Sequence, residues 1–105
     1  MMCLRFSTSK KLSPRQKLLL AYLGDGYTKN RIDLENVIYR DLGDYEIEIS
    51  GCHTQRQPIC IYVWKKDGLR IVESHRGLVQ NFERIKGLLD DIVNRYSKKE
   101  DIEDE

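Results

Sequence analysis

The chain lacks the features that would place it among secreted or membrane proteins. It has three cysteines in 105 residues, Cys3, Cys52 and Cys60, and such a sparse, odd set favours reduced thiols over a disulfide framework. Its longest uncharged apolar run, residues 18–23, is far shorter than the roughly 18 residues that a membrane-spanning helix needs. The first six residues include Arg5 and no apolar stretch typical of a secretory signal. We therefore expect a cytoplasmic protein with no membrane association.

The sequence also lacks the signatures of common enzymes. None of the motifs G-x-x-x-x-G-K-[ST], G-x-G-x-x-G and G-x-S-x-G occurs, so nothing predicts nucleotide hydrolysis, dinucleotide binding or hydrolase chemistry. Cys52, His53, Cys60 and His75 carry atoms that bind zinc, but their spacing lacks the C-x-x-C pair of a zinc knuckle. Side chains of neighbours such as Cys52 and His53 point apart on extended backbone, which disfavours a Cys–His nucleophile. We expect a non-enzymatic protein with no metal and no cofactor.

The net charge is only +1, but its distribution along the chain is uneven. Residues 1–24 contain no acidic residue and five basic ones, Arg5, Lys10, Lys11, Arg15 and Lys17. Residues 100–105 hold five of the 17 acidic residues, which leaves 12 acidic against 18 basic residues before them, a charge of +6. A cluster of basic side chains favours nucleic-acid binding, because it releases counterions from phosphates. A terminal acidic run is typical of a solvated end, so we predict one domain over residues 1–99 and a flexible acidic tail over 100–105.

Two helices are predicted from capping residues and apolar spacing. Ser13 followed by Pro14 and Gln16 is typical of a helix start, and Gly24 of a helix end. The apolar face of this helix comprises Leu18, Leu19, Tyr22 and Leu23. A second, longer helix is predicted from Gly77 to Ser97, because apolar residues recur there every three or four positions: Leu78, Phe82, Ile85, Leu89, Ile92 and Tyr96.

Three antiparallel strands are predicted between the helices. Apolar residues alternate with polar ones from Tyr45 to Ser50, and β-branched and aromatic residues dominate Ile59 to Trp64. Asp67-Gly68 predicts a two-residue hairpin turn with positive φ at both residues, which leads into a third strand from Leu69 to Ser74. Residues 25–36 are expected to form a loop. Val37-Ile38-Tyr39 is a candidate for a further, short strand at the edge of the sheet.

The predicted hairpin register assigns side chains to the two faces of the sheet. Ile59, Ile61, Val63 and Val72 share one face; Cys60, Tyr62, Trp64, Ile71 and Glu73 share the other. Two apolar helix faces must be buried, which places both helices on the Ile61/Val63 face. The expected fold is a two-layer α+β sandwich of order α-β-β-β-α.

The aromatic side chains of the face opposite the helices are the strongest candidate for a binding site. Tyr62, Trp64 and Ile71, with Glu46, Glu48 and Glu73, could form one surface that binds a protein, because large aromatic side chains are enriched at interface centres. Carboxylates beside them disfavour nucleic acid. Two alternatives remain open: this face is the core, or it is covered by the N-terminal segment through Cys3, Leu4 and Phe6. Glu46 and Glu48 are also the type of residue that lines the solvent face of an ordinary strand.

Part of the sequence resembles a known family. The run Tyr45-x-Ile47-x-Ile49-Ser50-Gly51, then Ile61-x-Val63, Asp67-Gly68, Val72-x-Ser74 and a long amphipathic helix resembles the small phage-encoded anti-CRISPR inhibitors of Cas9. The resemblance covers Tyr45 to Tyr96. It implies a non-enzymatic protein, with a helix, three antiparallel strands and a helix, that blocks a nucleic-acid-binding surface by mimicking the charge of DNA.

The leading hypothesis is therefore a small protein-interaction module of phage or mobile-element origin that inhibits a nucleic-acid-binding partner such as Cas9. The alternative is a nucleic-acid-binding regulator that uses the basic N-terminal segment and the first helix. A homodimer is compatible with either hypothesis.

Truncation after Lys99 should leave the melting temperature nearly unchanged, because a run of acids interrupted only by Ile102 has too little apolar surface to pack. Thermal melting followed by circular dichroism tests this. A large fall in melting temperature would show that Ile102 packs against the domain. If the tail contributes to charge mimicry, truncation should also weaken partner binding, and more so at low salt.

Overall fold

The computed structural model describes residues 11–32 and 35–97. Seven helices and strands follow one another in these residues: α1 (Pro14–Leu23), β1 (Thr28–Ile32), β2 (Glu35–Asp41), β3 (Tyr45–Gly51), β4 (Ile59–Lys65), β5 (Arg70–Leu78) and α2 (Phe82–Tyr96). The five strands form one antiparallel sheet in the order β1-β2-β3-β4-β5. The α+β class is confirmed, but the sheet has five strands rather than three or four. No helix in the described residues is long and apolar enough to cross a membrane.

The two additional strands lie where a loop was expected. β1 occupies part of residues 25–36, and β2 extends on both sides of Val37-Ile38-Tyr39 and lies inside the sheet rather than at its edge. β1 reads Thr-Lys-Asn-Arg-Ile, and its first three residues are exposed. An edge strand of this kind buries too little surface to show apolar alternation, so its sequence is indistinguishable from that of a polar loop.

The expected start of the first helix is confirmed. The Ser13 hydroxyl accepts from the Gln16 backbone N–H at 3.2 Å, and the Gln16 side chain accepts from the Ser13 N–H at 2.9 Å, which completes a capping box. The predicted apolar face of α1 is wrong in part, because Leu18 is 56% exposed and Tyr22 is 45% exposed. The buried residues of α1 are instead Gln16, Leu19 and Leu23. Gln16 can be buried because its side-chain amide donates to two backbone carbonyl groups of the sheet, those of Asn36 and Gly51.

Both helices pack on the predicted face of the sheet. Their buried residues form one apolar cluster with the strand residues of that face, which includes Leu19, Leu23, Ile38, Ile47, Ile49, Ile61, Val63, Ile85, Leu89 and Ile92. α2 begins at Phe82 after its cap Asn81, five residues later than Gly77, because β5 continues to Leu78. Leu78 therefore belongs to a strand and not to the helix.

The β4–β5 hairpin has the predicted pairing of Trp64 with Ile71, but a bulge shifts every pair beyond it. Val63 pairs with Glu73 instead of Val72, and Tyr62 pairs with Ser74 instead of Glu73. One extra residue in a strand sends the following side chains to the other face. Glu73 consequently lies on the helix side, contrary to the sequence-based assignment, and Val72 is 36% exposed.

The turn of this hairpin also differs from the expected one. Positive φ occurs at Gly68 (86°) and Leu69 (49°) rather than at Asp67 and Gly68. The Leu69 N–H donates to the Lys66 carbonyl at 3.2 Å, and Lys65 pairs with Arg70. The turn therefore occupies four residues, and β5, the third of the predicted strands, begins at Arg70 instead of Leu69.

Leu89→Asp should unfold the domain. Leu89 has no exposed surface and lies at the centre of α2, so an aspartate there would bury a charge without a partner at a cost of several kcal/mol, a large fraction of the stability of a small domain. Circular dichroism melting measures the loss, and the exposed neighbour Asp90→Asn serves as the control. An unchanged melting temperature for Leu89→Asp would contradict the observed packing of α2.

Candidate interaction surface

The sheet face opposite the helices, here called the open face, presents aromatic and carboxylate side chains in cross-strand rows. One row runs across four strands through Tyr39, Glu48, Tyr62 and Ser74. The next row runs through Asp41, Glu46, Trp64 and Ile71. Five of the six residues in the predicted partner site therefore lie together: Glu46, Glu48, Tyr62, Trp64 and Ile71. The sixth, Glu73, does not, because the bulge turns it to the helix side.

The open face is buried at one end and partly exposed at the other. Glu35, Val37, Ser50 and Cys60 have at most 1% of their surface exposed, at the end where β3 finishes and β4 begins. Towards the β4–β5 turn, Tyr62 and Trp64 are half-buried and Ile71 is 46% exposed. Cys3, Leu4 and Phe6, the segment suggested as a cover for this face, lie outside the described residues. The accessible part of the open face is thus the end that carries Trp64 and Ile71.

Hydrogen bonds orient the aromatic side chains of this surface. The Trp64 indole Nε1–H donates to Glu48 Oε1 at 3.0 Å, and the Tyr39 hydroxyl donates to Glu46 Oε1 at 2.5 Å. Burial, followed by the neighbouring Glu46 carboxylate, raises the pKa of Tyr39, so this phenol stays protonated and continues to donate. Sequence reasoning missed Tyr39 and Asp41, although both follow once β2 is recognised as a strand that alternates in step with β3.

Glu73 joins β5 to the C-terminal turn of α2. Its carboxylate accepts from the Arg95 guanidinium at 2.7 and 2.9 Å, from the Tyr96 hydroxyl at 2.9 Å, and contacts the His75 Nε2 at 2.7 Å. The Arg95 hydrogen bonds are the largest cause that lowers the pKa of Glu73 to about 2. Arg95 also binds Asp91 at 3.1 Å, an i, i+4 pair on α2. This network positions α2 on the sheet and does not form part of the open face.

The cysteine and histidine residues do not assemble into a reactive site. Cys52 is buried in the helix-side core, and burial raises the pKa of its thiol to about 11, which opposes formation of a thiolate nucleophile. His53 contacts Glu35 at 3.4 Å, while His75 binds Glu73. Within the described ranges, no group of three His, Cys, Asp or Glu side chains could hold a metal ion.

Cys60 corrects one expectation from the sequence. It is disulfide-bonded, whereas Cys52 is a free thiol, so the expectation that all cysteines are reduced is wrong. In the pairing of β3 with β4, Cys60 lies opposite Ser50 at the buried end of the open face. The Ser50 hydroxyl is one of the few buried side-chain groups among the described residues with no hydrogen-bond partner. The cysteine content therefore no longer supports the expectation of a reducing compartment.

The residues of the alternative nucleic-acid site are only partly described. Arg5 and Lys10 lie outside the described residues, while Lys11 and Lys17 are exposed. Arg15 donates to the Gln80 side chain at 2.7 Å and stacks over the Phe82 ring at 4.8 Å. Arg15 and Lys17 belong to α1, which packs on the helix side of the sheet and not on the open face.

Comparisons with known protein families, with curated proteins and with solved structures find no match for this chain.

Glu73→Gln should lower the melting temperature in a pH-dependent way. Because the pKa of Glu73 falls to about 2 in the folded chain from an ordinary 4.5, its contribution is complete above pH 4.5 and is lost as the pH falls towards 2. The difference in melting temperature between wild type and Glu73→Gln should therefore be largest above about pH 5 and should shrink as the pH falls below 5. Glu83→Gln, an exposed carboxylate on α2, is the control. A difference that stays constant from pH 6 to pH 2 would contradict the role of Glu73.

Proposed function

We propose that this chain is a small, non-enzymatic protein-interaction module that binds a protein partner through the exposed end of the open face. The observation that carries the proposal is the partly exposed group of Tyr62, Trp64 and Ile71 beside the carboxylates of Glu46 and Glu48. Aromatic side chains surrounded by polar groups are characteristic of the centres of protein interfaces. A contiguous apolar group on the surface of a small domain is otherwise unfavourable, because it promotes non-specific association.

The hydrogen bonds of this surface support the proposal. Trp64 and Tyr39 are held by Glu48 and Glu46, so two large side chains lose little further conformational freedom when a partner covers them. Glu46 forms no ion pair with a described residue, which leaves its charge available to a partner. Leu69, 71% exposed at the adjacent turn, would extend the apolar contact.

The resemblance to anti-CRISPR inhibitors supports a more specific proposal. In it, the chain is an inhibitor of phage or mobile-element origin, and its partner is a nucleic-acid-binding effector such as Cas9. The carboxylates of Glu46 and Glu48 share the open face, and a basic nucleic-acid-binding surface would complement them. Association of two copies through the same face is the competing outcome.

The double variant Tyr62→Ser with Trp64→Ser tests the interface. It should stay folded and lose its partner, because buried interface aromatics commonly contribute about 2 kcal/mol or more each. The matched control is Leu18→Ser with Val79→Ser, two exposed apolar residues away from this face (56% and 80% exposed). Circular dichroism melting, size-exclusion chromatography and capture of purified Cas9 are measured on all three proteins.

Four results would be informative in this experiment. Loss of capture in the open-face variant alone supports the interface. A folded variant that still captures the partner contradicts it, and unfolding by about 3–5 kcal/mol per substitution would show that Tyr62 and Trp64 belong to the core. Wild-type chain that elutes as a dimer, with the open-face variant monomeric, assigns the face to self-association.

A further inference from the structure

A second surface, which the proposed function does not use, lies at the end of the domain where both helices begin. It comprises the β3–β4 loop (residues 52–58), the connection from β5 to α2 (79–81) and the first turn of α1. Gln80 joins these three segments, because its amide group donates to the carbonyl groups of Thr54 and Gln57 at 2.6 and 2.5 Å and accepts from Arg15. We call this surface the basic end.

The basic end contains two adjoining depressions that carry arginine side chains. One, of about 330 Å³, is lined by the loop residues Gln55 and Arg56 and by Gln80. The other, of about 370 Å³, is lined by Asn81, Arg84 and apolar residues of α2. Both are bordered by residues 77–79, so Arg56 and Arg84 lie on opposite sides of one ridge.

The three arginine residues of the basic end, Arg15, Arg56 and Arg84, form no ion pair with a described residue. In contrast, several arginine and lysine residues away from this surface do form ion pairs: Arg95 with Glu73 and Asp91, Lys66 with Asp41, and Lys86 with Asp90. Two carboxylates are nearby; Glu35 is fully buried and contacts His53, and Glu83 is exposed beside Arg84.

We propose that the basic end binds the phosphate backbone of a nucleic acid. Guanidinium groups bind phosphate oxygens through two parallel hydrogen bonds, and Arg56 and Arg84 are both exposed and in no ion pair within residues 11–32 and 35–97. The Gln80 side chain accepts from Arg15, and the exposed Gln55 adds an uncharged side chain capable of hydrogen bonding. This surface is separate from the open face, so the chain would contact a protein partner and a nucleic acid at different places.

The variant Arg56→Gln with Arg84→Gln tests this inference on the full chain. Its matched control, Lys65→Gln with Lys66→Gln, removes the same charge at the opposite end of β4. Binding of a fluorescein-labelled 20-base-pair DNA duplex is measured by fluorescence anisotropy from 50 to 200 mM NaCl. The arginine variant should bind at least about tenfold more weakly at 50 mM, and its salt dependence should fall by about one unit of log Kd per log salt for each arginine. The control should retain wild-type affinity to within about twofold.

Several results would overturn the inference. The first is the absence of saturable binding of the duplex by the wild-type chain at 50 mM NaCl. The second is an equal loss of DNA affinity in the arginine variant and the lysine control. The third is displacement of the duplex by polyglutamate of equal charge as readily as by unlabelled DNA. The last result would assign the basic end to an acidic protein. Capture of the protein partner by the arginine variant should remain at the wild-type level, so failure here and failure of the proposed interface are distinguishable.

Discussion

The pairing of β3 with β4 is the interaction on which the rest of the structure depends. Seven residue pairs from Tyr45/Lys65 to Gly51/Ile59 fix which side chains face the helices. Ile47 and Ile49 meet Val63 and Ile61 on the helix side, and Glu46 and Glu48 meet Trp64 and Tyr62 on the open face. Because a shift of one residue would exchange the two faces, the apolar core and the candidate binding surface are specified together.

The bulge opposite Val63 and Trp64 adapts this arrangement to the long helix. Without it, Glu73 would join the open face, Tyr96 would lose its carboxylate partner, and Arg95 would keep only Asp91 on its own helix. With it, Glu73 accepts three hydrogen bonds from the last turn of α2, and the open face keeps the exposed Ile71 without a neighbouring Glu73. One inserted residue therefore both attaches a helix and makes the binding surface more apolar.

Much of the fold could be predicted because its signals are local. Ser13 and Gln16 specify the start of α1, and the alternation in Tyr45 to Ser50 specifies β3. The rest depends on contacts between distant residues. The buried face of α1 is set by Gln16, which reaches the backbone of Asn36 and Gly51, and β1 is a strand only because it pairs with β2. Five of the six partner-site residues follow from alternation alone, whereas the position of Glu73 requires knowledge of the bulge.

Trp64 is the only tryptophan in the chain, so binding of a partner at the open face can be measured directly. In a 15N-labelled sample, a single indole N–H signal reports on the open face. An unlabelled protein partner adds no indole signal of its own. This signal and the amide of Ile71 should shift or broaden on binding, while the amide of Asp90 on the outer surface of α2 should not. A complex in which the signals of α2 change and the Trp64 indole signal stays at its free position would contradict the assignment of the open face as the protein-binding surface.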